Sequence, residues 1–194
     1  MATGSPPDDA ARVVLDLASS RPATCGGVRV VCVDGPAGSG KTTLAAGIAE
    51  RTGAQVVHMD DLMDGWDGAA GTGPQLASVL EPLADGRPGS YRHFNWHLGR
   101  FDRVVAVPVA PWLVLEGVGS GNPVIAPYVT VLVWVEVDDD LRLARGLDRD
   151  GAAMEPQWRQ FMLGEAELFS AHRTRERADV VVDGTGDRPP VLRA

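Results

Sequence analysis

Nine consecutive residues constrain this chain more than any others: Gly35-Pro36-Ala37-Gly38-Ser39-Gly40-Lys41-Thr42-Thr43. They carry the G-x-x-x-x-G-K-[ST] spacing of a phosphate-binding P-loop. The valine-rich run Val28 to Asp34 before them reads as a buried strand, and Leu44, Ala45, Ile48 and Ala49 after them recur at helical spacing. Strand, glycine-rich turn and helix are the context the motif requires. A triphosphate is a dense anion, and a helix start offers free backbone N–H groups and partial positive charge. Gly35, Gly38 and Gly40 let the backbone curl close enough to aim those groups at phosphate, with Ala37 and Ser39 between them. Lys41 is expected to reach the β- and γ-phosphates, Thr42 to help hold Mg²⁺, and Thr43 to serve the helix or make a second phosphate contact.

Length and charge narrow the setting. At 194 residues the chain fits one domain, with a lid around 142–157 and loose tails at 1–7 and 188–194. A formal charge of −8, with no lysine-rich arm, argues against nucleic acid as a partner. The two cysteines, Cys25 and Cys32, form neither a disulfide framework nor a metal spacing. No targeting pattern and no membrane-length apolar run are apparent, so no membrane partner is expected and cytoplasmic is the default location.

Further along, a first helix is expected from Asp8 or Asp9 to about Ser19. Gln55 to Met59 reads as a second strand that delivers Asp60-Asp61 at its carboxyl end. In open parallel sheets that edge is where ligands bind. A carboxylate there can take a proton from an acceptor hydroxyl, and both Asp60 and Asp61 are open to the role. Pro74 to Leu83 follows as a helix. Gly86 to Arg103 reads as a connection whose Tyr91, Arg92, His93, Trp96 and Arg100 offer stacking surfaces and a cationic clamp. Together with Trp66 and Asp61, Tyr91, Arg92 and Trp96 are the expected acceptor contacts. Trp112 to Glu116 is a continuous apolar run ending in acid, read as a buried parallel strand whose Glu116 holds a metal-bound water or orients the acceptor. Tyr128 to Val135 is another apolar strand. Arg145 and Arg149 then share a helix face and could clamp a moving phosphoryl group. A helix from Glu155 or Pro156 and a last strand, Ala178 to Val182, complete five strands alternating with helices. That order implies a three-layer α/β fold around a five-stranded parallel sheet.

With these pieces in place the chain resembles the small-molecule P-loop kinases, above all the uridine kinase and phosphoribulokinase-like group, with nucleoside monophosphate kinases as cousins. The matching stretches are Asp34 to Thr43, Met59-Asp60-Asp61-Leu62, Leu115-Glu116-Gly117, Arg145 to Asp150 and Arg177 to Val182. The resemblance implies ATP and Mg²⁺ as cofactors, a small-molecule phosphate acceptor, and Asp60 as the base that activates its hydroxyl. It also implies a lid carrying Arg145 and Arg149, and an adenine site by the Asp183 to Thr185 turn. The chain departs from uridine kinases in having Asp60-Asp61-Leu62-Met63 in place of an Asp-Ser-Phe-Tyr type sequence. It has Gly151-Ala152-Ala153-Met154 where that group has Arg-Gly-Arg, and no recognisable substrate-binding hairpin. Transfer to a nucleoside such as uridine is the first expectation. The alternatives are a nucleoside monophosphate kinase, in which Arg92 or Arg100 would grip the acceptor phosphate, and an ATP-binding regulator without transfer.

Overall fold

Residues 6–66 and 68–193 are described by a computed structural model of the protein. In chain order the elements are α1 (Pro6–Ser20), β1 (Arg29–Asp34), α2 (Lys41–Thr52), β2 (Gln55–His58), α3 (Gly73–Ala84), β3 (Gly89–Asn95), β4 (Arg100–Val107), β5 (Trp112–Glu116), β6 (Val131–Glu136), α4 (Asp139–Asp150), α5 (Glu155–His172), α6 (Thr174–Arg177), β7 (Val180–Asp183) and β8 (Val191–Leu192). Single 3₁₀ turns, among them Met59–Asp61, Pro123–Tyr128 and Ala152–Met154, join several of them.

The central sheet runs β2-β5-β1-β6-β7-β8. The first five of these strands pair in parallel, as the alternation of strands and helices implied. The order follows from burial. β1, β5 and β6 are buried on both faces, so neither face can be solvated and helices must cover both. Two apolar clusters result. One joins Val30, Cys32, Leu113 and Leu115 to the α3 side chains Leu76, Val79, Leu80 and Leu83, all close to fully buried. The other packs Val31, Val33, Val114 and Val133 against Val14 of α1 and Leu44 and Ile48 of α2. Each such side chain contributes about 1.5–3 kcal/mol relative to exposure.

Two expectations change. The stretch from Gly86 to Arg103 is no loop: β3 and β4 form an antiparallel hairpin in which Tyr91 faces Val105 and Arg92 faces Val104. Its alternating buried and exposed residues, Tyr91 and Phe94 inward and Arg92 outward, are the half-buried pattern of a two-stranded ribbon. The aromatic and polar mixture concealed that period, and a register shift between His93 and Phe94 interrupts it. The segment after Arg188 is not a loose tail throughout. β8 adds an antiparallel edge strand to β7, pairing Val181 with Val191, and the Arg193 amide donates to the Asp179 carbonyl. Residues 1–5, part of the other expected tail, lie outside the described residues, while Pro6 and Pro7 already belong to α1.

Candidate nucleotide and acceptor cleft

A cleft of about 730 Å³ opens at the carboxyl ends of the parallel strands, the edge where open α/β sheets bind ligands. One end is walled by Ala37, Gly38, Gly40, Lys41, Thr42 and Thr43 of the P-loop region and by the turn Asp183 to Gly186. The other is walled by Asp60, Asp61, Trp66, Trp96 and Phe161.

The P-loop owes its shape to close backbone contacts. At Gly35, φ is 139° and an added Cβ would lie 2.1 Å from the Val135 carbonyl oxygen, so no other residue fits there without displacing β6. Its amide, with those of Gly119 and Gly121, donates to the buried Asp34 carboxylate at 2.8–2.9 Å. Burial pushes the Asp34 pKa up to about 6 against the pull of those three donors. This one carboxylate thus ties the P-loop to the loop after β5. On the far side, Glu165 of α5 accepts from the Ala37 amide at 2.9 Å and pairs with the buried Arg142 of α4, which also bonds Asp139 at 2.7 Å. Arg145 donates to the Gly38 carbonyl (3.1 Å) and the Gly184 carbonyl (3.3 Å), bridging the P-loop and the 183–186 turn. In that turn Asp183 accepts from the amide and hydroxyl of Thr185. Of the residues expected to meet the nucleotide, Gly35 and Ser39 do not line the cleft. Gly35 packs against β6, and Ser39 is fully buried behind the loop, its amide donating to the Pro36 carbonyl at 3.2 Å.

Lys41 is buried, and its ammonium donates to the Pro36 carbonyl at 2.8 Å. Burial lowers its pKa, opposed by the carboxylates of Glu116, Asp34, Glu165 and Asp60 around it. Thr42 Oγ1 donates to Glu116 Oε1 at 3.1 Å, so a hydroxyl and a carboxylate converge beside the P-loop. This oxygen pair suits a hard divalent cation. Among the described residues no set of three or more His, Cys, Asp or Glu side chains forms a metal cage. Such a pair fits Mg²⁺, which commonly takes only one or two protein ligands beside phosphate and water. The second oxygen of Glu116 accepts from His58 Nδ1 at 2.8 Å, and this bond raises the His58 pKa. His58 has no signature in the sequence. Parallel pairing sets it directly opposite Glu116, a register visible only once the strand order is known.

Asp60 and Asp61 leave β2 on the 3₁₀ turn Met59–Asp61, and both reach the cleft. Their surroundings differ. Among the described residues nothing donates to the Asp60 carboxylate. It is accessible from the cleft but backed by protein, and that desolvation together with the Glu116 charge raises its pKa, while Lys41, Arg149 and His58 pull it down. Asp61 is held from the hairpin: Tyr91 Oη donates to Oδ2 at 3.3 Å, and His93 Nε2 lies 3.6 Å from Oδ1. Trp66 and Trp96 meet edge to face at 5.8 Å, and Trp66 meets Phe161 in the same way at 5.6 Å. Trp96 Nε1 donates to the Asp60 carbonyl at 3.0 Å, fixing the hairpin tip to the turn that carries both aspartates. Phe161 of α5 is half-buried, packed against the core and lining the cleft.

Two expected acceptor contacts are not brought to the cleft. Tyr91 is buried beneath Asp61, and Arg92 is exposed on the opposite side of the hairpin, its guanidinium 4.4 Å from the Phe101 ring centre. Strand alternation is the reason: when Tyr91 points inward, Arg92 must point out. Arg149 lines the cleft, with Nε and Nη2 on the two oxygens of Asp150 at 2.8 and 2.9 Å.

No protein-family model and no curated protein matches the sequence. Solved structures do match. One, described as a possible uridine kinase from Bacillus stearothermophilus, superposes with a TM-score of 0.58 and 19% identity over 81% of this chain and 89% of that one. Another, provisionally named a fructose transport system kinase, from Silicibacter sp. TM1040, gives 0.65 and 20% over 89% and 98%. The fold is therefore a uridine kinase-like P-loop fold. No helix among the described residues is long and apolar enough to cross a membrane.

Proposed function

We propose that the protein is an ATP- and Mg²⁺-dependent phosphotransferase that moves the γ-phosphoryl group to a hydroxyl of a small metabolite, a nucleoside such as uridine being the first candidate. One observation carries the reading: a carboxylate without a bonding partner among the described residues, Asp60, faces the same cleft as the P-loop lysine and the Thr42–Glu116 pair. Kinase-named neighbours of the same fold support it.

In this reading the P-loop amides and Lys41 hold the β- and γ-phosphates, and Asp183 to Gly186 flank the base of the nucleotide. Mg²⁺, held through Thr42 and Glu116, supplies charge neutralisation to the phosphate oxygens. Asp60 takes the proton of the acceptor hydroxyl as its oxygen bonds to phosphorus and the bond to ADP breaks. Its raised pKa makes it a stronger base than an ordinary aspartate while leaving proton transfer to a carboxylate. Arg145 and Arg149, which line the cleft, would meet charge on the moving group. The monophosphate kinase alternative is weakened because neither Arg92 nor Arg100 lines the cleft.

The test is ADP release from Mg-ATP across nucleosides, nucleoside monophosphates, sugars and amino alcohols, with Lys41→Ala as blank. An acceptor that raises turnover by orders of magnitude supports transfer. Tight ATP binding with a flat panel would favour a nucleotide-binding regulator instead.

A further inference from the structure

We propose that Asp61 selects the acceptor by taking a hydrogen-bond donor adjacent to the phosphorylated hydroxyl, so that the substrate is an unphosphorylated compound with two neighbouring donors, a diol or an amino alcohol. The inference rests on the phosphotransferase reading and adds the substrate class.

The two adjacent carboxylates are built for different tasks. A base must have its lone pairs free, and Asp60 has no donor among the described residues. A recognition group must be aimed, and Asp61 is. Tyr91 Oη holds one oxygen at 3.3 Å and His93 faces the other at 3.6 Å. His93 is itself oriented by Asp102 Oδ1 on β4 at 3.0 Å, and Asp102 is fixed by Asn95 Nδ2 at 2.8 Å. A carboxylate offers about four acceptor positions. Tyr91 occupies one from behind and the His93 ring lies 3.6 Å from the other oxygen, which leaves the side toward the cleft for ligand. Tyr91 and His93 do not line the cleft themselves, so they act as positioning residues.

The charges at this end exclude an anionic partner. Among the described residues the only cationic side chains lining the cleft are Lys41, Arg145 and Arg149. The first two serve the P-loop end, and Arg149 is engaged bidentately by Asp150. A phosphate on the acceptor would meet Asp60, Asp61 and Asp150, with Arg149 the one cation near them and already paired with Asp150. A hydroxyl or ammonium donor meets acceptors instead. The Trp66–Trp96 wall supplies an apolar surface for the carbon face of such a compound.

The experiment is steady-state ADP release at saturating Mg-ATP with three parents: uridine, D-glucose and ethanolamine. Each is paired with an analogue lacking the donor beside the reactive hydroxyl and with one carrying a phosphate there. For the active parent, deleting that donor should cost wild type about tenfold or more in kcat/KM, as expected for a hydrogen bond to a charged group. In Asp61→Ala the parent's KM should rise by the same factor with kcat within about threefold, so that parent and analogue converge. Asp61→Asn provides a second, isosteric variant, and thermal melting confirms that each is folded. Tyr91→Phe and His93→Gln should lose part of the discrimination while retaining kcat, a split that a general loss of structure would not give. Preference for the phosphorylated analogue, or undiminished discrimination in Asp61→Ala, overturns the proposal while leaving phosphotransfer standing. A panel without Lys41-dependent turnover removes the phosphotransfer reading and this inference together.

Discussion

The two ends of the cleft are built by opposite means. At the nucleotide end one contiguous stretch, 37–43, supplies a whole wall, and backbone packing holds it: Gly35 on β6, Gly184 on the Ser39 carbonyl, and Asp34 under three amides. At the acceptor end side chains from separate segments converge. Asp60 and Asp61 come from a 3₁₀ turn, Trp66 from the loop after it, Trp96 from a hairpin tip, Asp150 from the end of α4 and Phe161 from α5. A phosphate-binding loop changes little when side chains around it change, since its contacts are amides. An acceptor pocket built from side chains can change residue by residue without moving the sheet.

The largest expected effects separate the ends by their consequences. Lys41→Ala should reduce turnover about a thousandfold or more and weaken ATP binding too, since its buried ammonium serves ground and transition states alike. Asp60→Asn should reduce transfer by about 10²–10⁴ while ATP affinity, read by calorimetry, stays within about twofold. A parallel fall in ATP affinity would mean that the two ends are one site and would break the comparison.

The same contrast explains what could be read from the sequence. The P-loop was legible because its chemistry depends on local spacing: glycines at fixed offsets, then lysine and threonine, between an apolar strand and a helix. The parallel sheet was legible because β1, β5 and β6 are apolar throughout. The β3–β4 hairpin was not, because its aromatic and charged side chains hide the period of two and a register shift at His93/Phe94 interrupts it. The His58–Glu116 pair and the Glu165–Ala37 bond were also out of reach. The first needs the strand order, and the second joins residues 128 positions apart. Asp60 and Asp61 were found as a pair from their place after β2, but only the hairpin distinguishes them.

Acidity should also test the acceptor end. Burial and Glu116 raise the Asp60 pKa, so the base is ionised only at higher pH than an ordinary aspartate. The acceptor kcat/KM should therefore rise with pH along an acid limb whose midpoint lies above the usual value of about 3.9. Arg149 pulls that pKa down, so Arg149→Ala should move the limb further up. A limb that does not move would place Asp60 outside the arginine's field.

Removing an aromatic wall should cost less. Trp66→Ala loses two edge-to-face contacts, worth about 0.5–1.5 kcal/mol each beyond area burial. Acceptor KM should rise about three- to tenfold, with the KM for ATP unchanged. An equal rise for both substrates would mean that Trp66 supports the whole cleft and not its acceptor end.

Arg92→Ala should have the smallest effect, and it tests the boundary of the acceptor end. An arginine on an aromatic-rich segment is the natural clamp for an acceptor phosphate, and a monophosphate kinase would need one. Here the strand turns Arg92 outward onto Phe101, an exposed contact worth about 0.5–1 kcal/mol. Its loss should lower the melting temperature by no more than about 1–4 °C and leave acceptor KM within about twofold. Loss of acceptor binding by tenfold or more would mean that the substrate reaches around the hairpin edge to the guanidinium. The acceptor end would then extend past Asp61 to a cation, and a phosphorylated acceptor would regain the support that the inward face of the hairpin denies it.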